Sequence, residues 1–176
     1  MSDVNEIRDR LSTSSFDDQH FTAAVAILSA EYAVSSRISA VLSTFDMIMA
    51  DWTVLTIIKV TGGNPLQLGK IAELLRVHAT TVTNAVERLE RSGYVSRISD
   101  SADRRTTYVT LSSKGDRQLT TIQAALGKTQ FGLGALSAEE AEQLVRLLSK
   151  VRKRTEAEVT EKQGATRVRK RARVAR

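Results

Sequence analysis

Between residues 66 and 111 the apolar positions change period twice. Leu68, Ile71, Ala72 and Leu75 recur at i, i+3, i+4 and i+7, the spacing of one buried helix face. Arg76 and Val77 then make a turn, with Val77 placed to plug between two helices. The helical period returns from about Ala79 to Arg91. Val82, Ala85, Val86 and Leu89 form its inner stripe, and Thr80, Thr81, Asn84, Arg88 and Arg91 its outer face. Thr80, Asn84 and Arg88 lie four apart and stack on one side. Gly93, after Ser92, stops this helix. Tyr94, Val95 and Ile98 then open an extended run, and Thr106 to Leu111 gives a second, rich in β-branched residues. Between the two runs lies the polar stretch Asp100-Ser101-Ala102-Asp103-Arg104-Arg105.

The flanks read as helices. Asp17 or Asp18 caps a long one ending near Thr44, with Phe21, Val25, Leu28, Tyr32, Ile38 and Leu42 in period. Ala24, Ile27 and Val41 widen its stripe beyond what a small winged domain can cover, which points to a dimer interface. A further helix runs from Asp51 to about Thr61, and Gly62-Gly63-Asn64-Pro65 ends it. Ser112 caps a helix that continues through Leu119, Ile122 and Leu126, with Gly127, Gly132 and Gly134 marking its end. Ser137 and Glu140 form a capping box for the last helix, through Leu144, Leu147, Leu148 and Val151 to roughly Lys162. The expected organisation is a flexible arm at 1–16, an N-terminal dimerisation helix and connection at 17–50, and a winged helix-turn-helix at 51–112. C-terminal dimerisation helices follow at 113–162, then a disordered basic tail at 163–176. The fold class is mostly α with a small β-hairpin wing.

The outer face of the second helix carries residue types that meet DNA. Threonine hydroxyls suit phosphates or bases, asparagine can bind adenine bidentately, and arginine suits guanine or phosphate. An ordinary solvated face would look the same on that helix alone. The wing shifts the balance, because an exposed hairpin tip needs no paired arginines to fold, whereas a narrow minor groove attracts them. The segments IAELLRV, TTVTNAVERLERSGYV, DSADRR and VTLSSKG, in this order and spacing, resemble the MarR family of transcriptional regulators. The resemblance covers roughly residues 20 to 160. It implies an α-helical homodimer that binds double-stranded DNA at a palindromic operator and is often released by a small ligand. The DNA-contacting set it supports is His78, Ala79, Thr80, Thr81, Thr83, Asn84 and Arg88 on the helix, with Arg104 and Arg105 on the wing. Asp103 is expected to hold a wing arginine by ion pairing. Two positions depart from the family pattern: Arg76 stands where a turn glycine is usual, and His78 where Ser or Asp commonly caps the helix.

Charge changes the picture less than the net +6 suggests. Residues 162 to 176 hold seven basic residues and no acid, and the remaining chain carries 19 basic against 20 acidic. Residues 66 to 111 hold seven Lys/Arg against five acids, so non-specific DNA affinity there is moderate. The tail either reaches flanking phosphates or only solubilises. The 176-residue chain has no cysteine, which excludes disulfides, thiolate metal sites and cysteine-based peroxide sensing. No uninterrupted apolar run reaches about 18 residues, and the N-terminus lacks a basic start followed by an apolar stretch, so a cytoplasmic protein is expected.

Candidate chemistry is sparse. There are two histidines, and Asp17, Asp18 and His20 sit together at a helix start, where acids are expected anyway. No HExxH, P-loop, dinucleotide glycine motif or nucleophile elbow is present. The expectation is a non-enzyme with no cofactor and no metal. For a small effector, Tyr32, Arg37, Phe45, Met49 and Trp52 lie within sequence reach of the hollow between dimer helices and winged domain. One cation beside aromatics suits an aromatic carboxylate or related acyl thioester. Trp52, Phe45 and Met49 are equally good core residues. Two functional classes remain beside the repressor: a non-specific architectural DNA binder, and an enzyme or interaction module on a winged-helix scaffold.

Overall fold

A computed structural model describes residues 19–62, 65–99 and 106–154. The N-terminal arm, the wing tip Asp100 to Arg105 and the basic tail lie outside the described residues. The elements are α1 (Gln19–Ser43), α2 (Met49–Val60), β1 (Leu66–Gln67), α3 (Leu68–Leu75), α4 (Ala79–Arg91), β2 (Val95–Ser99), β3 (Thr107–Leu111) and α5 (Ser113–Lys128). A 3-10 turn follows at Gln130–Gly132, and residues 138–154 form α6. The chain divides into two compact units, 1–132 and 133–176.

The first unit is built on one core. Val54, Leu55 and Ile58 of α2, Ile71 and Ala72 of α3, and Val82, Ala85, Val86 and Leu89 of α4 meet there. Val95 and Val109 close it from the sheet, and Leu42 and Met47 from the end of α1. The α4 stripe matches the sequence reading residue for residue. Helix α5, expected to group with the C-terminal dimerisation helices, buries Leu119, Ile122 and Leu126 in this same core. The expected wing strands β2 and β3 pair antiparallel, and β1 extends them to a three-stranded sheet, with Leu66 opposite Val109 on β3. A two-residue strand is too short to leave a period in the sequence.

Local backbone chemistry explains the helix ends. Helix α2 begins at Met49, two residues before the expected start at Asp51. Asp51 sits inside the first turn and its carboxylate accepts the Ile48 backbone N–H at 3.1 Å. Arg76 occupies the left-handed region, φ 55°, ψ 41°, at the end of α3. The turn glycine's conformation is therefore kept without the glycine, at a steric cost. Val77 N–H closes back onto the Ala72 carbonyl at 3.1 Å. Val77 is 40% exposed and borders an apolar cavity beside Leu75 and Thr81, so it only partly fills the space between the helices. At the start of α4, His78 makes no side-chain cap, as its residue type suggests. Gly127 lies inside α5; the chain bends beyond it, where Gln130, Phe131 and Gly132 all take positive φ.

Three residues of the VTLSSKG segment tie the far end of α4 to the sheet. Ser112 Oγ accepts the Gly115 N–H at 2.9 Å and lies 2.7 Å and 3.0 Å from the Gly93 and Tyr94 carbonyls. Lys114 Nζ donates to the Ser92 carbonyl at 2.7 Å and sits 4.9 Å from the Tyr94 ring centroid. Both charge and donor complement a helix C-terminus. At Gly115 the Tyr94 carbonyl passes so close that a Cβ would stand 2.0 Å from its oxygen.

The second unit contains α6. Ser137 N–H donates to Glu140 Oε2 at 2.8 Å and Glu140 N–H to Ser137 Oγ at 3.2 Å, the expected capping box. Leu147 and Leu148 are 52% and 40% exposed. In the first unit, Leu28 and Tyr32 of α1 are 68% and 67% exposed. By length and composition α1 would pass as a membrane-spanning helix, although Glu31 and Arg37 interrupt it.

Candidate DNA-binding surface

Helix α4 displays its outer face at the protein surface. His78, Ala79, Thr80, Thr81 and Asn84 are exposed; Thr83 is half-buried, and its hydroxyl donates to the Ala79 carbonyl at 3.0 Å. Thr80 and Asn84 are one turn apart, so a groove bound along this face meets both.

Arg88 does not join them as a free cation. Its Nη2 and Nε reach Asp51 Oδ1 at 2.7 Å and 3.1 Å, across 37 residues of sequence. Asp51 is 3% exposed, and a carboxylate that deep must be paired to be tolerated. For Arg88, expected in the DNA-contacting set, the buried acid on α2 takes the bidentate face in this structure. In the sequence Asp51 is only the first residue of a helical pattern, and spacing cannot show that it faces Arg88.

The acids of α4 are also engaged. Arg97 of β2 lies 3.3 Å from Glu90 and 3.7 Å from Glu87. These are ion pairs without hydrogen-bond geometry, since Arg97 Nε and Nη2 find no hydrogen-bond partner. Lys70, the lone lysine between residues 66 and 111, is held by Glu73 at 3.0 Å. The face that α4 presents around Thr80, Thr81 and Asn84 is consequently polar and close to neutral. The role of Arg97 went unread in the sequence, where it was only one more basic residue. The wing residues Asp103, Arg104 and Arg105 lie outside the described residues.

The five residues considered for an effector stand in two settings. Tyr32 and Arg37 are exposed on α1, while Phe45, Met49 and Trp52 are half-buried and pack against the core. Met49 borders an apolar cavity of about 320 Å³ with Ala50, Thr53, Leu75, Val77 and Thr81. Trp52 Nε1 is buried with no hydrogen-bond partner.

A model of the MarR family matches residues 48–107, from the start of α2 to the start of β3. Sco5413, a MarR family transcriptional regulator from Streptomyces coelicolor, is 30% identical, with a TM-score of 0.69. The match covers 76% of this chain and 92% of that one. The chain belongs to the MarR family. MarR family members are transcription regulators with a DNA-binding winged-helix fold, not enzymes. They are soluble proteins, so α1 is read as a helix of a soluble fold despite its apolar length. A probable transcriptional regulator from Pseudomonas aeruginosa is 27% identical over 77% of this chain and 98% of its own, with a TM-score of 0.60. The S. aureus MepR-DNA complex shares the fold at 22% identity, TM-score 0.63, over 73% of this chain and 94% of MepR.

Proposed function

We propose that this MarR family chain is a cytoplasmic repressor that binds a near-palindromic operator as a homodimer. Each protomer sets α4 in a major groove, the two grooves about 10 base pairs apart on one face of the duplex. Thr80, Thr81 and Asn84 read base edges, with His78, Ala79 and Thr83 beside them at the helix start. Arg104 and Arg105 enter the flanking minor groove, with Asp103 steadying one of them.

The observation that carries this reading is the α4 face itself: exposed, polar and close to neutral, with Glu87, Glu90 and Arg88 all engaged elsewhere. Such a face gains little from phosphate attraction alone and much from hydrogen bonds to the right bases. MepR, of the same fold, binds DNA. The exposed apolar residues of α1 and α6 supply the surface a dimer would cover. Release by a small aromatic or anionic effector completes the reading and rests on residue types alone, with Tyr32 and Arg37 exposed on α1.

A gel shift with DNA from upstream of its own gene, against random competitor, tests the reading. Preference for the upstream fragment is expected. Equal affinity for both would instead favour a non-specific architectural protein, for which the basic tail is the best argument.

A further inference from the structure

We propose that Asp51 is a positioning residue for DNA recognition, and that it acts by holding Arg88 away from the phosphates. The proposal rests on reading α4 as the groove-binding helix. Arg88 lies one turn beyond Asn84 on the same helix, where an unattached arginine would find phosphate oxygens on any duplex. The structure shows it attached instead. Both Asp51 oxygens are used: Oδ1 by Arg88 Nη2 and Nε at 2.7 Å and 3.1 Å, and Oδ2 by the Ile48 N–H at 3.1 Å.

The pair is asymmetric. Asp51 is sealed in the core, whereas the Arg88 side chain is 38% exposed and borders a cleft of about 220 Å³ edged by Asp46 and Arg91. The guanidinium therefore has room to swing outward once the acid stops holding it. Two effects follow from the bond. It fixes the angle of α4 against α2, since it joins the first turn of one to the last turns of the other. It also removes a sequence-blind cation from a face that is otherwise neutral, which widens the gap between operator and random DNA.

The test uses the full-length protein and measures dissociation constants on an operator and a scrambled duplex across a salt series. Asp51→Asn keeps the side-chain size and an acceptor for Ile48 but removes the charge. It is expected to bind scrambled DNA more tightly, with a salt slope steeper by about 0.9 per protomer for one new phosphate contact. The operator preference should fall several-fold. Adding Arg88→Ala to Asp51→Asn should return the slope to that of the parent, because the added contact comes from Arg88. A neutral pair, Asp51→Asn with Arg88→Gln, decides the matter even where the single variant fails to fold. Its slope should equal the parent's, and a flatter slope would mean that Arg88 already touches phosphate. An unchanged slope and preference in folded Asp51→Asn would overturn the proposal, as would a steeper slope that survives Arg88→Ala. Asn84→Ala separates the two levels. If it leaves operator preference intact, the reading of α4 has failed; if it abolishes preference while the Asp51 variants behave as the parent, only the positioning role has failed.

Discussion

Replacing Gly115 by Ala adds one methyl group, and the structure sets how badly it fits. The new Cβ would lie 2.0 Å from the Tyr94 carbonyl oxygen, 2.9 Å from its carbon and 3.0 Å from Leu111 Cδ1. A carbon approaches a carbonyl oxygen no closer than about 3.3 Å, so a gap of more than about 1 Å must open. Tyr94 O is backbone and cannot rotate away. It also accepts the Ser112 N–H at 3.0 Å. The first turn of α5 must then lift off the end of α4, straining the Ser112 cap and the Lys114 contact with Ser92. Overpacking costs about 1–3 kcal/mol and a weakened cap about 1 kcal/mol. The expected loss is about 2–4 kcal/mol, or a Tm lower by on the order of 5–15 °C for a chain of this size. Thermal unfolding at fixed protein concentration reads it. Gly127→Ala, near the other end of the same helix, is the control. Nothing lies within 4 Å of its Cβ, so alanine should stabilise by up to about 1 kcal/mol. If Gly115→Ala melts at the parent's Tm, or if both glycines respond alike, the close approach at Tyr94 is not what holds the wing to α4.

Ser112→Ala removes the acceptor for Gly115 N–H and should cost about 1–2 kcal/mol in denaturant unfolding, less than Gly115→Ala because no atoms collide. Arg76→Gly relaxes a left-handed arginine and should raise stability by up to about 1 kcal/mol in the same assay; a clear loss would mean the side chain's contacts outweigh the backbone strain.

The helix-turn-helix was legible because its signal is periodic and local. The α4 stripe and both its ends, and the caps at Ser112 and Ser137, follow from spacing and residue type alone. What the sequence hid depends on pairings across distance. Asp51 and Arg88 are 37 residues apart, and nothing in either helical pattern says which acid an arginine will find. The same applies to Arg97 with Glu87 and Glu90, and to β1, whose two residues are defined only by pairing with β3. Val77, an apolar residue in a turn, looks like a plug in the sequence, but it stays 40% exposed at the edge of an apolar cavity. The candidate site was thus legible in its exposed polar residues, not in the bonds that hold its charges.

The central claim is that α4 reads sequence through Thr80 and Asn84, and Asn84→Ala addresses it most directly. Asn84 is exposed in the middle of α4, so the change should leave unfolding curves unaltered. The measurement is a titration of parent and variant on an operator and on a scrambled duplex at one salt concentration. The variant is expected to lose on the order of 1–3 kcal/mol on the operator, to bind scrambled DNA as the parent does, and to tolerate substitution at one base pair per half-site. Parent-like binding of both duplexes by folded Asn84→Ala would contradict the assignment of α4 as the recognition helix.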